Sequence, residues 1–185
     1  MKRMKAQFFI LGAVLLCSLF FIGLPPRQAF IETPSDDMEY VRQNLEREFP
    51  IALNLGLDNE NPRTTMENFT SWTRDVANGF LIKLSSFWVF TEVDPGTGNL
   101  TVSVGNYMGA DMNVNLDLDG DNRNLFVQEG DSSSTTFSSV GPTYTLTVQF
   151  GGNSKIFSWN RNKVNMFTLI ELERGENLAR SEVVA

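Results

Sequence analysis

Three carboxylates stand at alternating positions in the stretch DLDGDNRN, residues 117–124, with an amide directly after the last: Asp117, Asp119, Asp121 and Asn122. Calcium is a hard cation that takes six to eight oxygen ligands, so these residues are the sharpest candidate for metal binding in the chain. The spacing is not that of an EF-hand, because Gly120 comes too early and no Glu stands twelfth from Asp117. A hairpin turn explains the same residues better, since Asp and Gly both tolerate the left-handed backbone of a tight turn. Glu129 and Asp131 are a second acidic pair, able to do acid and base chemistry only if a cleft shifts one of their pKa values. No cofactor is implied by any motif.

Absences narrow the chemistry further. The chain has no histidine and one cysteine, Cys17, which lies in an apolar run. A Ser-His-Asp triad, a Cys-His nucleophile and histidine-bound zinc are therefore excluded. Cys17 reads as a small buried hydrophobe. Neither a Walker-type nor a dinucleotide-type glycine loop is present. The expectation is a protein that is not an enzyme; a carboxylate-dependent extracellular hydrolase is the weakest alternative.

The elements that would position these residues change character along the chain. Residues 1–26 form a membrane or signal segment, 27–35 a proline-containing linker, 36–85 a helical stalk, 86–174 a β-sandwich and 175–185 a polar tail. In the stalk, Met38, Val41, Leu45 and Phe49 recur at helical spacing, with Asp36, Asp37 and Glu39 in the first turn. This predicts a helix over about 36–49, ended or kinked by Pro50. A second helix is expected over about 64–84, opened by a capping box of Thr64 and Glu67. Met66, Phe69, Thr73, Val76 and Phe80 would form its apolar face, and Asn68, Ser71, Asp75 and Asn78 its exposed one.

From about Ser86 the period becomes two. Leu100, Val102 and Val104 alternate with polar residues, as do Met112, Val114, Leu116 and Leu118, and then Tyr144, Leu146, Val148 and Phe150. Such alternation marks antiparallel strands with one buried face. Turn residues at 94–99, 107–110, 119–122 and 151–153 separate them. The strand within residues 164–173 is more continuously apolar than the others and reads as central, whereas residues 130–139 read as a solvated loop or an edge strand. Phe87, Trp88, Val89 and Phe90, with Phe157 and Trp159, are assigned to the core rather than to a carbohydrate platform. The fold class is α+β: an N-terminal transmembrane or pilin-like helix, two amphipathic helices and an antiparallel sandwich of seven or eight strands.

Location follows from the run between Phe8 and Leu24, seventeen residues without a charge, preceded by Lys2, Arg3 and Lys5. A span needs about 17–25 apolar residues, and the preceding basic residues should stay cytoplasmic. The chain is thus expected to be a single-pass cell-membrane protein, or an extracellular filament subunit, with its C-terminal part outside the cytoplasm and membrane lipid as a partner of the run. Ordinary signal cleavage fits poorly, because Arg27 lies two positions before Ala29, and lipidation at Cys17 lacks a small preceding residue. An uncleaved anchor, or cleavage between Ala6 and Gln7, remain. Two sequons, at Asn68 and Asn99, are candidate glycosylation sites in that compartment.

Charge agrees. Three of fifteen basic residues and none of twenty-two acidic ones lie in the first 24 residues, so the remainder is strongly acidic. Nucleic acid, bound through phosphate neutralisation, is excluded as a partner. A single cysteine leaves no internal disulfide, so packing must supply the stability.

KAQFFILGAVLL, residues 5–16, resembles the start of archaeal type IV pilin-like proteins with class III signal peptides. The resemblance implies processing between Ala6 and Gln7, an apolar helix retained in the mature protein, and self-assembly through it. The sandwich in turn resembles the immunoglobulin-like heads of archaeal surface proteins. Together these imply a structural or adhesive surface protein, with an anchored envelope domain that binds a protein or glycan as the alternative.

Overall fold

The computed structural model describes residues 35–138 and 140–185, with side chains from residue 38 onward. Two helices, α1 (Ser35–Asp58) and α2 (Pro62–Gly79), precede nine strands: β1 (Lys83–Val93), β2 (Leu100–Tyr107), β3 (Met112–Leu118), β4 (Asp121–Val127), β5 (Asp131–Phe137), β6 (Thr143–Phe150), β7 (Asn153–Asn160), β8 (Asn165–Arg174) and β9 (Asn177–Val184). The strands make a five-stranded sheet in the order β5-β2-β1-β8-β9 and a four-stranded sheet in the order β4-β3-β6-β7. Every pairing is antiparallel. The fold is α+β, and the two sheets form a β-sandwich.

The helices are not a stalk. α1 packs on β8 and β9, and α2 on β1, so the five-stranded sheet is covered on both faces. This is why Ser86 to Thr91 of β1 and Asn165 to Ile170 of β8 are buried without alternation. Met38, Leu45, Phe49, Met66, Phe69, Trp88, Phe90 and Ile170 fill the core beneath the helices. Phe87, Val89, Val114, Leu116, Leu146, Val148, Phe150 and Phe167 fill the core between the sheets.

α1 does not end at Pro50, one of the two expectations there, but continues through it to Asp58. Ala52 and Leu53 extend the buried stripe of Met38, Leu45 and Phe49 past the proline. Packing of that stripe offsets a local cost of about 3 kcal/mol. At Gly56 an added Cβ would lie 2.6 Å from Pro62 Cα, so only glycine lets α2 fold back this closely.

The expected capping box is absent: Asn61 is the N-cap, without a side-chain cap bond, and Pro62 begins the helix. Glu67 is instead bound by Arg63 Nε at 3.2 Å and by the Ser132 hydroxyl. α2 also stops earlier than about residue 84. Leu81 N donates to Asn78 O at 3.0 Å and Ile82 N to Ala77 O at 3.0 Å, closing the helix with Leu81 at φ 58. This left-handed position favours glycine, and Leu81 is 81% exposed, so its side chain offers little packing in return. Leu81→Gly is expected to raise stability by about 0.5–1 kcal/mol; urea denaturation of the purified chain checks it.

Residues 177–184, expected within a polar tail, form the edge strand β9, with Ala179 and Val183 packed toward the helices. Residues 131–137 form the opposite edge, β5. These additions bring the strands to nine among the described residues, rather than seven or eight.

Two buried polar nodes join the layers. Asn106 Nδ2 donates to Ala110 O at 2.8 Å and to Val127 O at 3.0 Å, holding the crossovers on either side of the β3–β4 hairpin. Between the sheets, Tyr144 OH lies 2.7 Å from Thr91 Oγ1, and Asn165 Nδ2 lies 3.2 Å from the same phenol oxygen. Asn165 Nδ2 has two protons, and its two 3.0 Å contacts, to Asn160 O and Lys163 O, use them best. Burial pushes the Tyr144 phenol pKa up, so the hydroxyl stays protonated at neutral pH. Tyr144→Phe is expected to cost about 1–3 kcal/mol through the polar groups it leaves unpaired, read as a lower urea midpoint at an unchanged m-value.

Candidate functional site

The residues with metal chemistry do not converge. Asp119 and Gly120 are the two loop residues of the β3–β4 hairpin, both at positive φ (51 and 95), in register with the pair Leu118 and Asp121. Asp117 Oδ1 accepts from Gly120 N at 2.8 Å, Asp119 Oδ1 from Thr145 N at 2.9 Å, and Asp121 Oδ2 from Arg123 Nη2 at 3.1 Å. The three carboxylates are thus engaged separately, by the turn, by β6 and by an ion pair along β4. Among the described residues no group of three or more acidic or cysteine side chains is placed to hold a metal ion.

Glu129 and Asp131 are likewise bound separately. Arg74 Nη1 and Gly109 N donate to the two Glu129 oxygens, and Ser132 N donates to Asp131 Oδ1 at 2.7 Å. Of the sequons, Asn68 is exposed on α2, while Asn99 is half-buried at the end of the 94–99 turn. That turn is organised by Asp94, whose carboxylate accepts from Thr97 Oγ1 at 2.7 Å and Gly96 N at 2.8 Å, bonds that lower its pKa. Ala6, Gln7, Cys17 and the run from Phe8 to Leu24 lie outside the described residues. Among the described residues no helix is long and apolar enough to cross a membrane.

The remaining surface with a distinct chemistry is the outer face of the four-stranded sheet. Residues paired across antiparallel strands point to one side, so the registers define rows on this face. One row runs Asn124, Asn115, Gln149, Ser154. A second runs Asn122, Asp117, Thr147, Ile156. Phe126 stands opposite Asn113, Thr145 opposite Ser158, and Thr143 opposite Asn160. Of these fourteen side chains only Asp117 is charged, whereas typical surfaces carry roughly a quarter to a third charged residues. Eleven end in an amide or a hydroxyl.

The first row opens into a shallow depression of about 390 Å³, lined by Asn113, Asn115, Asn124, Gln149 and Ser154 with the Gly151–Gly152 turn at one end. A second depression, of about 470 Å³, shares Asn113, Phe150, Gly151 and Asn153 with it and is lined further by Met108, Ala110, Asp111 and Met112. The two adjoin at those four residues as a shallow groove. The Gly151–Gly152 loop has positive φ at both residues (49 and 78), which permits the tight β6–β7 hairpin and leaves that end without side chains. Below the groove, Phe150 stacks on Phe87 with ring centroids 3.8 Å apart, fixing its floor from the core side.

The amides of Asn113, Asn115, Asn124 and Gln149 form no side-chain hydrogen bond with other described residues. Each presents a donor and an acceptor to whatever occupies the groove. The alternation in β3 and β6 foretold that Asn113, Asn115 and Gln149 face solvent; the place of Asn124 on β4 and the cross-strand alignment depend on register and were not foreseen.

Compared with known proteins, the chain matches no protein-family model and no curated protein sequence.

Proposed function

We propose that this chain is a membrane-anchored, extracytoplasmic structural or adhesive protein without catalysis, held by the run from Phe8 to Leu24 and presenting the sandwich as its outward head. A pilin-like filament subunit is one form of this reading, and the immunoglobulin-like relation of the head belongs to it. The observation that carries it is the open face of the four-stranded sheet. The five-stranded sheet is enclosed by helices and by its partner sheet, so the outward presentation of the sandwich falls to a face built from amides and hydroxyls. The carboxylates that catalysis would need are engaged in turns and ion pairs, which supports binding over chemistry.

Mass spectrometry of protein purified from the native membrane tests the anchor. A mature chain that begins at Gln7, or at Met1, and leaves the membrane only with detergent is the expected result. A start near Phe30 in a freely soluble protein would overturn it.

A further inference from the structure

We infer that β9 is a pairing edge for a second copy of this chain: two β9 strands meet antiparallel about a two-fold axis at Ser181 and join two five-stranded sheets into one. This goes beyond the anchored, adhesive reading and does not rest on it.

The backbone of this edge is aimed outward. Among the described residues β9 has a hydrogen-bonded neighbour on one side, β8. Met166 N donates to Ala185 O at 2.8 Å and Ala185 N to Met166 O at 2.9 Å, and the β8–β9 register continues from there without a break. In an antiparallel ladder such mutual pairs alternate with pairs that share no hydrogen bond. Ser181 and Val183 therefore also turn their backbone groups to β8, whereas Leu178, Arg180, Glu182 and Val184 turn theirs to the other side. An unpaired row of this kind is a template for another strand.

The row is its own complement. Reversed about Ser181, Arg180 faces Glu182 of the second copy, Leu178 faces Val184, and Ala179 faces Val183. Opposite charges directly across two strands stabilise and like charges destabilise, so moving the axis to Arg180 or Glu182 would set like charges face to face. Leu178 and Val184 are 68% and 60% exposed, and pairing covers both. The other edges lack this match: β5 and β7 carry one charge each, Asp131 and Lys155, and β4 has its two, Asp121 and Arg123, at its very start.

The charges around the axis accept a close copy. Lys155 Nζ lies 2.6 Å from Glu182, and Arg180 lies 3.5 Å from Glu171 and 3.7 Å from Glu182, two groups of each sign. On the helix side, the Ser181 hydroxyl and Arg42 both donate to Glu46, so that carboxylate does not meet its copy bare. Because both copies use the same patch, the assembly closes as a pair.

Disulfide trapping of the purified full chain in a Cys17→Ser background tests this. Residues opposed in a pair without a hydrogen bond have Cα atoms about 4.5 Å apart, within disulfide reach, and Ser181 meets its copy in such a pair. Ser181→Cys is expected to give a covalent dimer under mild oxidation. Ala179→Cys alone, whose copies lie roughly 13 Å apart along the strands, is expected to give none, whereas a mixture of Ala179→Cys and Val183→Cys chains is expected to link. Arg180→Glu and Glu182→Arg should each lower the Ser181→Cys yield about tenfold, and mixing the two variants should restore it, because each supplies the charge the other lacks. Unchanged circular dichroism and melting show that the variants fold, and the Ala179 and Val183 mixture reads the same register independently of Ser181. No link at Ser181→Cys in folded protein, an equal link at Ala179→Cys alone, or charge variants whose yield is unchanged or not recovered by mixing would each overturn the inference. Assembly through the run from Phe8 to Leu24 would gather copies without choosing among β9 positions, so the position dependence separates the two.

Discussion

Gly105→Ala is expected to destabilise the protein by at least about 3 kcal/mol, the largest effect of a one-carbon change in the described chain. Gly105 stands opposite Trp88 in the β1–β2 register, and an added Cβ would fall 2.1 Å from Trp88 Cε2 and 2.3 Å from Cζ2. Neither partner can yield cheaply. Trp88 is fully buried, and its Nε1 donates to Thr70 Oγ1 of α2 at 3.2 Å, so moving the ring also breaks the contact between sheet and helix. Urea denaturation followed by circular dichroism measures the loss. The steric account makes a second demand: in a Trp88→Leu background the same glycine substitution should cost far less, giving a coupling energy of about 1–3 kcal/mol. Additive costs would show that Trp88 is not what Gly105 makes room for.

Phe150→Ala should cost about 3–5 kcal/mol. The ring is 2% exposed, stacks on Phe87 with planes 6° apart, and lies 6.2 Å from Phe167. It belongs to the four-stranded sheet and Phe87 to the five-stranded one, so the cavity would open at the centre of the sandwich. Phe150→Leu, which retains most of the volume, should cost less than about 2 kcal/mol. Urea midpoints of the two variants measure both costs.

The strands with one solvated face were legible because their burial is written directly into alternating residues: Val114, Leu116 and Leu118 face inward, and Asn113, Asn115 and Asp117 do not. The central position of β8 was legible for the complementary reason, an apolar run without alternation. Edge strands gave a weaker signal. The apolar residues that β9 packs against the helices are Ala179 and Val183, and two small apolar residues in a polar stretch look like a tail. In the helical layer the local rule at Pro50 set a helix end too early, because the buried stripe of α1 runs past the proline. As for the site, the turn character of Asp119 and Gly120 could be read from residue type, whereas the row joining Asn124, Asn115 and Gln149 needs three strands in register, which no local pattern encodes.

The pairing of β1 with β8 bears on how the chain folds during synthesis. Their contacts join residues 74 to 90 positions apart, from Thr91 with Asn165 to Lys83 with Glu173. β1, which contains Ser-Phe-Trp-Val-Phe, therefore leaves the ribosome long before its central partner exists. Non-local pairing of this kind slows folding, and an apolar strand waiting with an open edge invites intermolecular pairing. α2 directly precedes β1 and packs on it, so a helix made earlier can shield one face of the strand during that interval. The helical layer then acts as a built-in escort for the nascent sheet, and weakening it should lower the yield of folded protein more steeply than it lowers the stability of the finished one.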